Sequence, residues 1–191
     1  MLQREGVFSR LPVLQTERLV LRKITMADVQ DIFAYSSDPR VSRYVLWETH
    51  HTVSDARNFV RYMQRLYRSG APASWAIECK ADGRVIGTVG FMWWNREHNS
   101  AEVGYSLASR YWNHGYATEA LREILRFGFA EMRLQRIEAQ HELENPASGR
   151  VMAKAGMRRE GLLRKRLYNK GRYVDVELYA ILREDMFGVG R

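Results

Sequence analysis

The stretch Ala101-Glu102-Val103-Gly104-Tyr105-Ser106-Leu107, continuing through Ala108-Ser109-Arg110-Tyr111-Trp112-Asn113-His114-Gly115-Tyr116-Ala117-Thr118-Glu119-Ala120 to Phe129, decides how the chain folds. Its first seven residues alternate. Val103, Tyr105 and Leu107 share one face and Glu102, Gly104 and Ser106 the other, the two-residue period of a strand. From Ala117 the period lengthens to that of a helix. Ala120, Leu121, Ile124 and Gly128 gather on one side, and Thr118, Glu119, Arg122 and Arg126 on the opposite side. Between strand and helix, Gly115 lets the backbone turn tightly and Ala117 keeps the helix start uncluttered. The first N–H groups of such a helix have no internal partner and carry the positive end of its dipole. That makes the turn a ready seat for a pyrophosphate. The same strand, turn and helix also serve as plain architecture, because short glycine signatures recur widely.

Upstream, residues 18–24 alternate, with Leu19 and Leu21 on one face, and read as a strand. Thr25 followed by Asp28 is a capping pair opening a helix that stops before Asp38-Pro39. Residues 53–68 form a second helix. Phe59, Val60, Met63, Leu66 and Tyr67 line one face, and Arg57, Arg61, Arg65 and Arg68 line the other. That arginine row suits a wet face or an acidic partner. Residues 74–79 and 85–94 flank Ala81-Asp82-Gly83, a hairpin signal, and a polar turn leads into 101–107. Downstream, 136–141 is a short strand. Asn145-Pro146 opens a helix to Lys154, with Asn145 as cap and Gly156 as stop. Residues 162–182 form a hairpin turning at Asn169-Lys170-Gly171. The order is strand, two helices, three antiparallel strands, helix, strand, helix, hairpin. It predicts one α/β domain built on a mixed sheet.

Composition narrows the class. With 191 residues, 46% hydrophobic and 27% charged, the chain suits one ordered globular domain. No apolar run approaches a membrane span, and the N-terminus lacks the apolar core of a secretory signal. The single cysteine, Cys79, excludes an internal disulfide and reads as packing within its strand. Five scattered histidines offer no metal cluster. A cytoplasmic protein without a metal is expected. The net charge of +8 favours acidic partners and disfavours the approach of a polycation. Residues 150–172 concentrate it: Arg150, Lys154, Arg158, Arg159, Arg164, Lys165, Arg166, Lys170 and Arg172 against Glu160 alone. These charges suit a solvated surface, a cradle for phosphates, or contact with nucleic acid.

The segment Tyr111-Trp112-Asn113-His114-Gly115-Tyr116-Ala117-Thr118-Glu119-Ala120 resembles the acetyl-CoA-binding core of the GNAT acetyltransferases, in the branch that acetylates the N-termini of ribosomal proteins. The superfamily pattern Gln/Arg-x-x-Gly-x-Gly/Ala begins here with Trp112, a departure usual in that branch. A second mark, Asn145-Pro146-Ala147-Ser148 followed by Val151, Lys154, Ala155 and Gly156, is similar to the family's Asn-x-x-Ser-x-x-Val-x-x-Lys-x-Gly-Phe, with Met157 in place of the Phe. The resemblance runs over residues 16–186. It implies a single GNAT domain with a mixed, mostly antiparallel central sheet flanked by helices. Residues 1–15 would be a loosely held arm and 187–191 a tail.

What the resemblance implies for chemistry is specific. Tyr105, Ser106 and Leu107 would pair their exposed backbone with the pantetheine amides of acetyl-CoA. Asn113, His114, Gly115, Tyr116, Ala117 and Thr118 would take the pyrophosphate, with Asn145 and Lys154 as further cofactor contacts. Family enzymes place a proton-donating tyrosine one turn beyond Ser148. Here that position is Met152, which cannot donate, so Ser148 is expected to protonate the leaving thiolate. Glu102 is expected as the base for the amine, with Glu138 next and His141 and His114 behind. Trp47, His50, His51, Tyr168 and Tyr173 are expected to line the acceptor cleft. The acceptor implied is a protein or peptide N-terminus, with transient contact to RNA or the ribosome through the basic surface, by a monomer or homodimer. A small-molecule amine acetyltransferase, and a non-catalytic module binding acetyl-CoA or RNA, are the alternatives.

Overall fold

In a computed structural model of the chain, which describes residues 6–188, strand β1 (Leu14–Gln15) and strand β2 (Leu19–Arg22) precede helices α1 (Val29–Ser36), α2 (Pro39–Ser42) and α3 (Val53–Ser69). Strands β3 (Ser74–Cys79), β4 (Val85–Asn95) and β5 (Ser100–Leu107) follow, then α4 (Tyr116–Ala130), β6 (Arg136–Glu142) and α5 (Pro146–Lys154). The hairpin β7 (Arg158–Asn169) and β8 (Arg172–Leu182) and a short helix α6 (Arg183–Phe187) close the described chain. The eight strands form one sheet in the order β1-β2-β3-β4-β5-β6-β8-β7. Every neighbouring pair is antiparallel except β5 and β6, which are parallel.

Local chemistry sets most boundaries. Thr25 with Asp28, and Thr52 with Asp55, form capping boxes at the turn before α1 and at the start of α3. Gly70, in the left-handed region at φ 69°, ends α3. Lys170 and Gly171 both have positive φ, 47° and 81°, as a two-residue turn between β7 and β8 requires.

Helices cover both faces of the sheet. Gly128 of α4 sits so close that a Cβ there would fall 2.7 Å from Ile137 Cδ1 and 3.1 Å from Phe91 Cζ. Helix α1 packs on the other face, where the buried Tyr35 phenol reaches Thr88 and Ser106. The core joins Leu19, Leu21, Trp75, Ile77, Phe91, Leu121, Ile124 and Ile137, all nearly or fully excluded from solvent. Cys79 packs among them, as expected.

Four features depart from the sequence reading. Residues 6–15 are not a loose arm: Val7, Phe8, Leu11 and Leu14 are buried. Phe8 sits edge-on to Trp75, Phe91 and Trp94, and Trp75 Nε1 donates to the Pro12 carbonyl at 2.9 Å. Residues 1–5 and 189–191 lie outside the described residues. Asp38-Pro39 does not only stop α1; it starts α2, with the Asp38 side chain accepting from the Arg40 N–H. Strand β7 begins at Arg158, four residues before the expected 162, because it pairs with β8 as far as Ala180. Thr118, expected on the outer side of its helix, is buried.

Candidate active site

The parallel pair β5–β6 is short. Its register covers Ser100–Arg136, Ala101–Ile137 and Glu102–Glu138, and then stops. Strand β5 stays paired with β4 as far as Leu107, while β6 pairs with β8. From Val103 onward the edge of β5 that faced β6 therefore has no strand partner. An extra residue in β4 between Phe91 and Trp93 marks the same point, and a bulge there bends a strand and increases its twist. The result is a V in the middle of the sheet, with Glu102 at the apex.

A cleft of about 530 Å³ fills the open end of the V. Tyr105, Ser106 and Leu107 form one wall, and Tyr111, Trp112, Asn113, Gly115, Tyr116, Ala117 and Thr118 continue it. Asn145 to Ser148, Arg150, Val151 and Lys154 form the other wall, with Glu144 and the α2 region (Arg40, Val41, Tyr44, Val45) at the mouth. Ten of the eleven residues expected to hold a cofactor meet there. His114 is the exception: its ring contacts the Trp112 carbonyl 2.7 Å away rather than the cleft.

The turn into α4 is shaped as a glycine turn should be. Asn113 and Gly115 both lie in the left-handed region, at φ 62° and 83°. The first helical hydrogen bond runs from the Glu119 N–H to the Gly115 carbonyl at 3.0 Å. The amides before it belong to residues that line the cleft, and they are the unpaired donors of a helix N-terminus. Arg18 clamps this turn from β2's flank. Its guanidinium pairs with Glu119 at 2.7 Å, donates to the His114 carbonyl at 2.9 Å and lies 4.4 Å over the Tyr116 ring. Burial acts to raise Glu119's pKa. Hydrogen bonds from Thr16 and from the Arg18 backbone and guanidinium outweigh it and hold the carboxyl below its usual range. Trp112 Nε1 donates to the Leu107 carbonyl at 2.7 Å, tying the end of β5 to the same turn.

Across the cleft, α5 begins at Pro146. Asn145 occupies the cap position but its side chain makes no capping hydrogen bond. The expected side-chain cap is therefore not made, and Asn145 lines the cleft. Ser148 Oγ lies 2.8 Å from the Tyr105 hydroxyl, which also stands 2.9 Å from the Ser148 carbonyl. Burial pushes the Tyr105 phenol well above the ordinary tyrosine range. Met152 is buried beneath the helix.

The candidate bases separate by their partners. Glu102 does not line the cleft; it stands at the apex, on the face opposite Tyr105. Trp93 Nε1 donates to it at 2.6 Å and Gln140 Nε2 at 3.0 Å, both neutral groups. Glu138, its register partner, is held by Arg136 at 3.0 Å, and Arg136 also grips Glu160 at 2.6 Å. His141 is buried against Gly149 of α5 and Tyr179, with Nε2 lacking a hydrogen bond and 3.4 Å from Glu177.

The five residues expected at the acceptor cleft do not line this one. Trp47, His50 and Phe59 pack together, and Ser36 Oγ lies 2.6 Å from His50 Nδ1. Burial lowers the His50 pKa, with Asp55 opposing the shift. His51 is exposed, and its backbone N–H donates to Asp55. Tyr168 and Tyr173 form an exposed cross-strand pair 5.0 Å apart. The last hairpin and the early helices do meet nearby: Lys170 Nζ donates to the Val45 carbonyl at 2.9 Å and the Trp47 carbonyl at 3.1 Å. Sequence reading missed Arg40, Val41, Tyr44 and Val45 at the cleft mouth. The signal was present, since an Asp followed by Pro is a helix start as well as a stop.

Among the described residues, no cluster of three or more His, Cys, Asp or Glu is arranged to hold a metal ion. No helix among them is long and apolar enough to cross a membrane.

Comparisons with known proteins agree with this architecture. The family model described as an acetyltransferase (GNAT) domain matches residues 18–158. The chain is 34% identical over 172 residues to the uncharacterized N-acetyltransferase YoaA of Bacillus subtilis (strain 168), covering 90% of this chain and 97% of that one. A GNAT-family acetyltransferase structure from Bacillus anthracis superposes with a TM-score of 0.81 at 34% identity, covering 91% of this chain and 99% of its own. The ribosomal L7/L12 alpha-N-protein acetyltransferase RimL, solved with coenzyme A, shares the fold with a TM-score of 0.80 at 19% identity, covering 90% and 98%. The chain belongs to the GNAT family and is an acetyl-CoA-dependent N-acetyltransferase.

Proposed function

We propose that this enzyme acetylates the N-terminal α-amino group of a protein or peptide, such as a ribosomal protein, by direct attack of the amine on acetyl-CoA in a ternary complex. The observation that carries the reading is the V between β5 and β6 running into the free N-terminus of α4. Its strandless edge suits the amides of a substrate arm, and the unpaired helix amides suit a diphosphate. The edge of β5 at Tyr105, Ser106 and Leu107 that has no strand partner would meet the arm's amides, the turn at residues 113–118 the diphosphate, and Asn145 and Lys154 the opposite side.

Glu102 is the base in this reading. It stands where the strands part and has only neutral hydrogen-bond donors, whereas Glu138 is held by a guanidinium. Ser148 is the group that protonates the departing thiolate. The amine nitrogen forms its bond to the carbonyl carbon, the C–S bond breaks, and the amine's proton leaves through Glu102 to water. A peptide terminus would enter past the α2 region that lines the cleft, and RimL, a fold neighbour, is a ribosomal L7/L12 alpha-N-protein acetyltransferase. The net charge of +8 disfavours a polyamine and suits transient contact with RNA in the cytoplasm.

Thiol release from acetyl-CoA, measured against peptides of varied N-terminal residue, free amino acids and spermidine, tests the acceptor. Turnover with peptides well above the small amines is expected; the reverse order removes the peptide reading. Glu102→Gln and Ser148→Ala are each expected to lower kcat more than they raise the KM for acetyl-CoA.

A further inference from the structure

We infer that Tyr105 is a positioning residue whose phenol sets the direction of the Ser148 hydroxyl and thereby turns that serine toward the cleft. The inference rests on the role proposed above for Ser148.

The geometry poses a choice for one proton. The Tyr105 hydroxyl lies 2.9 Å from the Ser148 carbonyl and 2.8 Å from Ser148 Oγ. It has a single proton to give. If it donates to the carbonyl, the serine must donate back to the phenol oxygen, and the serine proton points away from the cleft. If it donates to Oγ, the serine proton is free to face the cleft. The Ser148 carbonyl does not need the phenol, because the α-helical ladder of α5 already offers it the Met152 N–H. A thiolate forming in the cleft stabilises the second arrangement, since only there can the serine donate to it. As the serine proton passes to sulfur, the half-exposed serine takes a proton from water in the same step, so no free alkoxide forms beside the phenol, and the hydroxide left is neutralised by the amine's proton released through Glu102. The phenol itself never ionises. Burial keeps it protonated across the working range.

The approach of α5 that makes this contact depends on Gly149. A Cβ there would fall 2.6 Å from His141 Nε2 and 3.2 Å from Tyr179 Oη. Ser148, its neighbour, is consequently held within reach of a strand residue 43 positions away.

Tyr105→Phe keeps the ring and removes the hydroxyl. With acetyl-CoA and a saturating acceptor, it should lower kcat about tenfold and leave the KM for acetyl-CoA within about twofold. In a Ser148→Ala background, Tyr105→Phe should cause no further loss, because both changes remove one pathway. An acetyl thioester with a more acidic thiol, which needs less help to leave, should recover most of the lost rate in each variant. Thermal melts of the variants verify that both fold. An unchanged kcat in Tyr105→Phe, or additive losses in the double variant, overturns the inference. If Ser148→Ala slows turnover while Tyr105→Phe does not, the serine's role stands and this inference alone falls. If Ser148→Ala itself turns over normally, both fall.

Discussion

Arg18 and Glu119 meet at 2.7 Å although they stand 101 residues apart, joining the approach to β2 to the first turn of α4. The same guanidinium fastens the His114 carbonyl and covers Tyr116, so one side chain fixes three points of the turn that faces the cleft. Arg18→Ala leaves a half-buried carboxylate without its cation beside the proposed diphosphate seat. The KM for acetyl-CoA should rise about five- to tenfold with a smaller change in kcat. Arg18→Lys should restore little, because a compact ammonium lacks the planar fork whose separate nitrogens reach Glu119 and the His114 carbonyl while its plane covers the Tyr116 ring. Steady-state kinetics of the two variants decide it; full recovery by lysine would mean that charge alone matters.

The residue beside Ser148 offers a more severe perturbation. Gly149→Ala places a methyl group 2.6 Å from a buried histidine nitrogen, beneath a helix that has nowhere to settle. Overpacking of this kind costs about 1–3 kcal/mol, and relief by lifting α5 would draw Ser148 away from Tyr105. Denaturant melts should show the loss in stability, and turnover should fall with it. A variant as stable and as active as the parent would show that α5 is not seated as described.

Phe8 provides a test of the N-terminal segment. Its ring is fully buried among Trp75, Phe91 and Trp94. Phe8→Ala should cost about 3–5 kcal/mol of stability, read from the shift in urea midpoint. A truly loose arm would show no shift at all.

His50 makes stability depend on pH. Its folded pKa lies below the ordinary value of 6.5, because burial disfavours the charged ring more than Asp55 favours it. The unfolded chain therefore takes up the proton first as pH falls. The stability held by the neutral ring is complete above about pH 6.5 and is lost as pH drops through the lowered folded value. Melting temperatures between pH 7.5 and 5 should fall less steeply in His50→Gln than in the parent. Equal slopes would assign the acid sensitivity to other groups.

Elements with strong local signals were legible in the chain. Helix α3 and the strands β3 to β5 follow from their periods and from caps such as Thr52–Asp55. The glycine turn at Gly115 was equally plain, and with it most of the cleft. The failures share a cause. Whether residues 6–15 pack depends on Trp75 and Phe91, which no local pattern reveals. The same is true of His50, whose surroundings of Ser36, Trp47 and Phe59 come from separate elements.

The family, the order of the longer strands and helices, and the turn that offers free amides could be read from the chain, because each depends on residues near one another in it. Which carboxylate stands free of a cation, that Asn145 makes no side-chain cap, and that Tyr105 touches Ser148 emerge only once the chain is folded. Those distinctions rest on hydrogen bonds between distant segments, and such bonds exist only once the sheet has parted and the helices have docked against it.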